Sequence, residues 1–519
     1  MAIGLARRAS PQTRRQSAVI KSVMAPTGGV NARDALAHMP ETDAIVLDNW
    51  FPTPSCVAVR NGSQAWATGM TNPVETVAAY NGFTTRKLFS WAGGKIYDTT
   101  AAGAVGAALI TGLTNSRWQT AMFNAGGGNV LVAVNGADAP LWYNGTTWAT
   151  TTISGTSLTA SNLITVTVFK QRCWYIENNT MNVWYSAVTA FQGALTVLPL
   201  GAIFKMGGYL MQMATWTIDN VSGINDYAAF ITSEGEVAVY QGYDPSSIST
   251  WSLVGVFRVG RPIGRRCITK FGSDVLVICT DGLAPLSKEL LTDRTQPDAL
   301  LTNKIINAIN NDAASYGSNF GWQCIEHPLG NKLILNVPEV TNTTSHQWVM
   351  NTVSTSNAWC RFRNWNANCW EVQQDSLYYG GNGGTLYLAD VGTTDAGGAA
   401  ILVDAKPAFS YFDSMTQKRF LMARPNFVSS AVIGVLPITL NVDFNDVSNV
   451  TPFFNTGTTA QWNVSNWDTG PWTSVLSQNN WLGVSGIGYA ACGRLTFQIY
   501  GVSVQWQSID YMFEPGGPL

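Results

Sequence analysis

The sequence predicts an all-β protein: a β-propeller-like domain of six to eight blades, an additional β-sandwich-like or platform region, and few helices. Three observations lead there. Almost every readable segment alternates apolar and polar residues with period two, and each run stops at Gly, Asn or Asp, as half-buried strands closed by tight turns do. The clearest turns, near 93, 145, 178, 235, 281, 330 and 381, recur about every 50 residues, the length a four-stranded propeller blade needs. Charged residues are only 12% of a chain that is 46% hydrophobic, against roughly 25% charged in an ordinary soluble domain. A surface so poor in charge is expected to be covered by partners, a sticky secreted β protein being the plainer alternative.

The elements follow in order. Residues 1–24 form a basic arm in which Arg7, Arg8, Arg14, Arg15 and Lys21 all precede the first acidic residue, Asp34. It reads as a solvated tail or as a strap on a partner, so these five are candidate assembly contacts. Residues 25–70 form a platform segment containing the turn Asp48-Asn49-Trp50-Phe51-Pro52. Asp and Asn bond locally to backbone and start turns, while Trp50 and Phe51 anchor a strand end. We read it as a structural corner that directs the chain from platform to propeller, not as a ligand site.

Residues 71–400 carry the blade signals. Lys87–Asp98 is a hairpin about Gly93-Gly94, and Leu141–Trp148 turns at Asn144-Gly145. Within 298–309, Leu301, Ile305, Ala308 and Ile309 share one face, which predicts a helix starting at an Asp298 cap and inserted on the β scaffold. Trp359, Arg361, Arg363, Trp365 and Trp370 interleave aromatic and basic residues. Their simplest fate is blade packing, but they are also a candidate interaction patch able to stack bases, sugars or a partner. Residues 401–519 change texture and predict a second, sandwich-like β domain of about a hundred residues.

Little chemistry is legible. The net charge of −2 and pI near 6.0 exclude a general nucleic-acid coat, which would need a basic surplus. Eight cysteines without any C-x-x-C pair predict free thiols, and three histidines far apart give no metal spacing. There is no phosphate loop, no complete calcium loop and no G-x-S-x-G elbow; Gly483–Ile487 misses the last glycine. No facing carboxylate pair for glycoside hydrolysis can be named. No catalytic residue, metal ligand or cofactor is therefore expected. Neither a secretory signal nor a membrane-spanning stretch is read.

The segment Thr27–Gly62 resembles the N-terminal signature of podovirus (short-tailed bacteriophage) tail nozzle, or tail tube, proteins. The matching residues are Asn31, Arg33, Asp34, Leu36, Asp43, Ala44, Leu47, Asp48, Asn49, Trp50, Phe51, Pro52, Val57, Arg60 and Gly62. Downstream, Lys87–Tyr97, Lys170–Ser186, Gly235–Gly242, Asp244-Pro245 and Thr280–Pro285 are similar to later family motifs in the same order. The resemblance spans roughly residues 27–390. It implies a non-enzymatic virion protein, assembled in the host bacterial cytoplasm as a homohexamer below the portal and adaptor ring. Its further partners would be other tail proteins (fibres or spikes, needle or plug) and viral DNA passing non-specifically. A neutral or acidic wall suits that passage, because duplex DNA carries one negative charge per ~1.7 Å and a basic wall would hold it. The competing readings are a carbohydrate-binding, receptor-binding propeller and a propeller depolymerase.

Overall fold

The computed structural model describes residues 17–220, 223–288, 297–354, 357–431, 433–434, 436–447, 453–456 and 476–516. The chain is all-β and propeller-like. Seven antiparallel sheets, here called blades, succeed one another among the described residues. Blade 1 is Val74–Asn81, Arg86–Ala92 and Lys95–Asp98; blade 2 is Gln119–Ala125, Gly128–Val134, Leu141–Tyr143 and Trp148–Thr150. Blade 3 is Leu163–Phe169, Arg172–Glu177, Asn182–Tyr185 and Thr196–Pro199; blade 4 is Leu210–Asn220, Gly223–Thr232, Glu236–Gly242 and Trp251–Arg258. Blade 5 is Ile268–Phe271, Asp274–Cys279 and Gly282–Pro285; blade 6 is Gln323–His327, Lys332–Val340, Thr344–Asn351 and Trp359–Phe362. Blade 7 is Cys369–Gln373, Ser376–Gly380 and Leu386–Ala389, completed by Ser63–Thr68.

Packing closes these sheets into a ring. The first strands of blades 1, 2, 3 and 4 lie against one another in sequence, and that of blade 4 then meets Asp274–Cys279 of blade 5. The first strand of blade 5 meets that of blade 6, blade 6 meets blade 7, and blade 7 returns to blade 1. Each junction is an apolar layer that one sheet could not bury alone. Phe89 and Trp91 of blade 1 pack with Leu131 and Tyr143 of blade 2, and Trp174 of blade 3 with Phe230 and Tyr240 of blade 4. The seven turns read from the sequence fall one in each blade. Gly93-Gly94 joins Ala92 to Lys95 with both φ angles positive (57° and 69°), the two-residue hairpin geometry that glycine favours. The irregular spacing also has a cause: Asn144-Gly145 joins the third and fourth strands of its blade, whereas most of the others join the second and third.

The remaining strands build a sandwich. Lys418–Ser429 pairs along its length with Val504–Pro515, and this sheet also takes Trp50–Pro52, Val57–Val59, Val19–Met24, Leu476–Gln478 and Leu482–Gly488. The facing sheet runs from blade 6 itself: Trp359–Phe362 pairs with Asp43–Asp48, which pairs with Ile401–Pro407 and onward to Ala491–Tyr500. Trp50, Phe427, Phe497 and Trp506 fill the space between the sheets, and this core is continuous with that of blades 5 to 7.

Four expectations are corrected. The sandwich is not built from residues 401–519 alone: Val19–Met24, Trp50–Pro52 and Val57–Val59 extend one sheet, and Asp43–Asp48 lies between Trp359–Phe362 and Ile401–Pro407 in the other. The strand Ser63–Thr68 belongs to the ring, where it closes blade 7, and not to the platform segment. The helix spans Ile306–Tyr316 and does not start at Asp298; 297–299 and 303–305 are separate 3-10 turns, with Ile305 and Ile309 as the buried face. Lys21 lies in the sandwich strand Val19–Met24 and pairs with Asp413 at 3.0 Å, so it is not part of a free arm. Arg7, Arg8, Arg14 and Arg15 lie outside the described residues. All eight cysteines are free thiols, and burial pushes Cys173, Cys267, Cys324, Cys369 and Cys492 up to about 12.

Candidate functional sites: the joint and the axis

Two polar constellations interrupt this apolar architecture. The first is the joint where ring meets sandwich, and it gathers most of the residues singled out in the sequence. Asn49 adopts a left-handed conformation (φ 59°), which asparagine tolerates because its side chain bonds locally. Here that side chain accepts from Arg60 Nε (2.8 Å) and the Arg363 amide (2.8 Å) and donates to the Leu402 carbonyl (2.7 Å). The turn at Asn49 sends Trp50 into the sandwich core. Asp48 receives Arg361 through two bonds of 2.7 Å, and Pro52 offers its carbonyl to Asn351.

Arg60 is the centre of the joint. Its side chain has no solvent exposure, and it forms a two-pronged pair with Asp395 at 2.8 and 2.7 Å. With Asn49, the Asn61 carbonyl and the Arg363 carbonyl, all five of its N–H groups are used. The guanidinium also lies 4.6 Å from the Trp365 ring centre, and the Trp365 indole donates to Asp395. Gly62 is required beside it, since a Cβ there would meet the Thr394 carbonyl oxygen at 1.8 Å. A satellite network ties the chain's start to the ring: Lys304 and Asn31 both donate to Asp43, and Arg33 donates to Asp34. The bonds from Arg33 and Asn31 hold the Asp34 carboxyl down at about 2.

This joint corrects the proposed interaction patch. Trp359, Trp365 and Trp370 are fully buried, so they offer no ring face to a base, a sugar or a partner. Arg361 turns to Asp48, and Arg363 is the half-exposed member, near Asp48 (3.9 Å) and Glu339 (3.6 Å). Corner and patch, 300 residues apart in sequence, are one buried structure.

The second constellation lies at one end of the ring axis, and the sequence reading passed over it. Gly264-Arg265-Arg266, in the connection from blade 4 to blade 5, sends two arginines across the axis. Arg265 donates to the Asn135 carbonyl of blade 2 (3.2 Å) and the Asn178 side chain of blade 3 (3.3 Å). Arg266 donates to the Glu75 carbonyl and the Thr76 hydroxyl of blade 1 and to the Trp118 carbonyl. Arg117 and Arg266 lie 4.2 and 5.3 Å from the same Phe320 ring centre. The three arginines, Phe320 and the loops 135–137 and 317–322 enclose a pocket of about 420 Å³. Burial lowers the pKa of Arg265 and of Arg266 and pushes the Glu371 carboxyl up to about 8, Arg266 opposing the latter shift. The available signal was a double arginine at a blade connection in a chain with very few charges.

Among the described residues no group of three or more His, Cys, Asp or Glu is placed to hold a metal, and no helix is long and apolar enough to cross a membrane. His346 sits between Asp312 (3.2 Å) and Glu339 (3.0 Å), joining the helix to blade 6.

No family model and no curated protein matches the chain. Solved structures similar to it include a BBS1N chain, YCF48 and a Cps50 (Swd1) propeller domain. The BBS1N chain of a crystal structure in complex with ARL6DN, soaked with mercury, is 10% identical with a TM-score of 0.40, covering 64% of this chain and 97% of its own. YCF48 bound to D1 peptide is 11% identical with a TM-score of 0.34, covering 69% and 98%. The β-propeller domain of Myceliophteria thermophila Cps50 (Swd1) is 11% identical with a TM-score of 0.37, covering 63% and 99%.

Proposed function

We propose that this chain is a structural virion protein of a short-tailed bacteriophage, a tail nozzle subunit that works as a ring of identical copies, a homohexamer. In this reading it forms a conduit and seal for DNA ejection, docks beneath an adaptor ring and catalyses nothing. The observation that carries the reading is the ordered set of nozzle-like motifs from Asn31 to Pro285. The role of the first motif fits a rigid two-part subunit: Asp43, Asp48, Asn49, Trp50, Arg60 and Gly62 fasten the sandwich to the ring.

The surface supports the multi-copy part of the reading. The outer strand of blade 4, Trp251–Arg258, pairs on one side only among the described residues and exposes Leu253, Val254 and Val256. Tyr243 and Ile248 beside it are exposed as well. An unprotected apolar strand edge is a template for association unless another chain covers it. A net charge of −2 per copy also leaves an assembled conduit without the basic surplus that would arrest DNA. The carbohydrate-binding alternative loses the tryptophan patch on which it leaned.

The test is light scattering and negative-stain imaging of the purified full chain. The reading expects closed rings with an axial opening, and Val254→Asp is expected to shift the population toward monomer. A protein that stays monomeric at high micromolar concentration and is retained on a glycan column would overturn it.

A further inference from the structure

We propose that the axial pocket bounded by Arg117, Arg265, Arg266, Asn115, Asn135 and Phe320 is a binding site for a phosphate-bearing ligand, independent of the nozzle reading. The argument is a charge count. Arg117 has a carboxylate partner, Glu75, at 2.9 Å. Arg265 and Arg266 have none within ion-pair distance among the described residues; every acceptor they reach is a carbonyl, a hydroxyl or an amide. Arg265 is exposed and Arg266 half-buried, with its Nη1 fully enclosed, and a cation enclosed without a counter-charge is costly to hold.

The nearest acids do not serve. Glu75 is taken by Arg117 and Asn342, and Asp138 by Thr114 and Asn135. Glu371 makes no ion pair with Arg266 among the described residues, and burial favours its neutral form at pH 7. Among the described residues, Arg266 Nη1 is the buried guanidinium nitrogen of this pocket that makes no hydrogen bond. An unmade bond at a buried donor points to a missing acceptor.

Phosphate fits better than a carboxylate. Two uncompensated guanidinium groups match a phosphate dianion, and the guanidinium fork matches phosphate oxygens two at a time. Phe320 holds Arg117 and Arg266 on one ring and limits their rotamers, so the donors are set in place before any ligand arrives. The cavity, about 420 Å³, exceeds inorganic phosphate alone and leaves room for a small organic moiety on the ester oxygen.

The experiment is titration calorimetry of the full chain with inorganic phosphate, alongside thermal melts in phosphate, acetate and chloride of equal ionic strength. Wild type is expected to bind one phosphate per chain and to melt at higher temperature in phosphate than in acetate. Arg265→Gln should weaken binding at least tenfold while leaving the melt in chloride nearly unchanged. Arg266→Gln should abolish binding; if it fails to fold, Arg265→Gln alone decides the matter. No saturable heat with wild type, equal stabilisation by acetate, or unaltered binding by Arg265→Gln would each overturn the proposal.

Discussion

The joint and the axis use the same side chain to opposite ends. At the joint, Arg60 and Arg361 each meet a carboxylate at 2.7–2.8 Å, and every N–H of Arg60 is satisfied. At the axis, Arg265 and Arg266 reach across the ring to neutral acceptors and leave a donor open. A paired, fully bonded arginine is a fastener whose loss is felt as stability. An unpaired one keeps its charge free for something that binds. The difference predicts that substitutions at the two sites separate into stability effects and ligand effects.

The largest expected effect is at the joint. Arg60→Ala strands Asp395 in a buried site and removes the guanidinium from Trp365, so urea unfolding should show a loss of about 3–5 kcal/mol. The double replacement Arg60→Met with Asp395→Leu should recover much of that loss, because no lone charge remains. An exposed-pair effect below about 1 kcal/mol for Arg60→Ala would dissolve the contrast. Trp50→Ala belongs to the same class: its ring fills the sandwich core against Phe427, Phe497 and Trp506, and its removal should cost about 3–5 kcal/mol. Because that core runs into blades 5 to 7, tryptophan fluorescence and far-ultraviolet dichroism should report one shared transition.

Smaller effects come from pH. Although burial opposes it, His327 and Lys332 hold the buried Asp390 carboxyl down at about 2. A depressed carboxylate stabilises the fold above its unfolded value near 3.8 and loses that contribution as pH falls toward 2. Acid titration of stability should show a step of about 2 kcal/mol in that window, absent in Asp390→Asn. His346 has the opposite sign. Despite burial, Asp312 and Glu339 raise its pKa above 6.5, so its contribution is complete below pH 6.5 and fades as pH rises through the folded value. His346→Gln should flatten that slope. The smallest effect is expected at the axis, where Arg265 is exposed and Arg265→Gln in phosphate-free buffer should change stability by less than about 0.5 kcal/mol.

The ring was legible because each blade contributes a local signal: period-two strands and a turn residue that must take a left-handed or tight conformation. Gly93, Gly145, Gly235 and Gly282 all have positive φ, and they belong to four of the seven turns the sequence marked. The joint was half legible. Asp48 to Pro52 and the tryptophans from 359 to 370 stood out separately, but local pattern cannot show that Arg60 pairs with Asp395 across 335 positions. The same limit hid the contribution of residues 19–59 to the sandwich, since strand pairing over such separations leaves no periodic trace. The helix start was misjudged because Asp298 has the residue type of a cap, yet the following stretch turns as 3-10 and the helix opens at Ile306 without a side-chain cap. The axial arginines left almost no signal, because a pocket assembled from several blade connections exists only once the ring has closed.

The central claim, a nozzle subunit acting in a ring, is tested most directly by a cryo-electron microscopy map of the assembled full-length protein. The account predicts a closed ring of copies in contact through the exposed edge of blade 4, around a channel with few Lys or Arg heads. A monomer, or a ring whose channel is lined throughout by continuous basic belts, would contradict it.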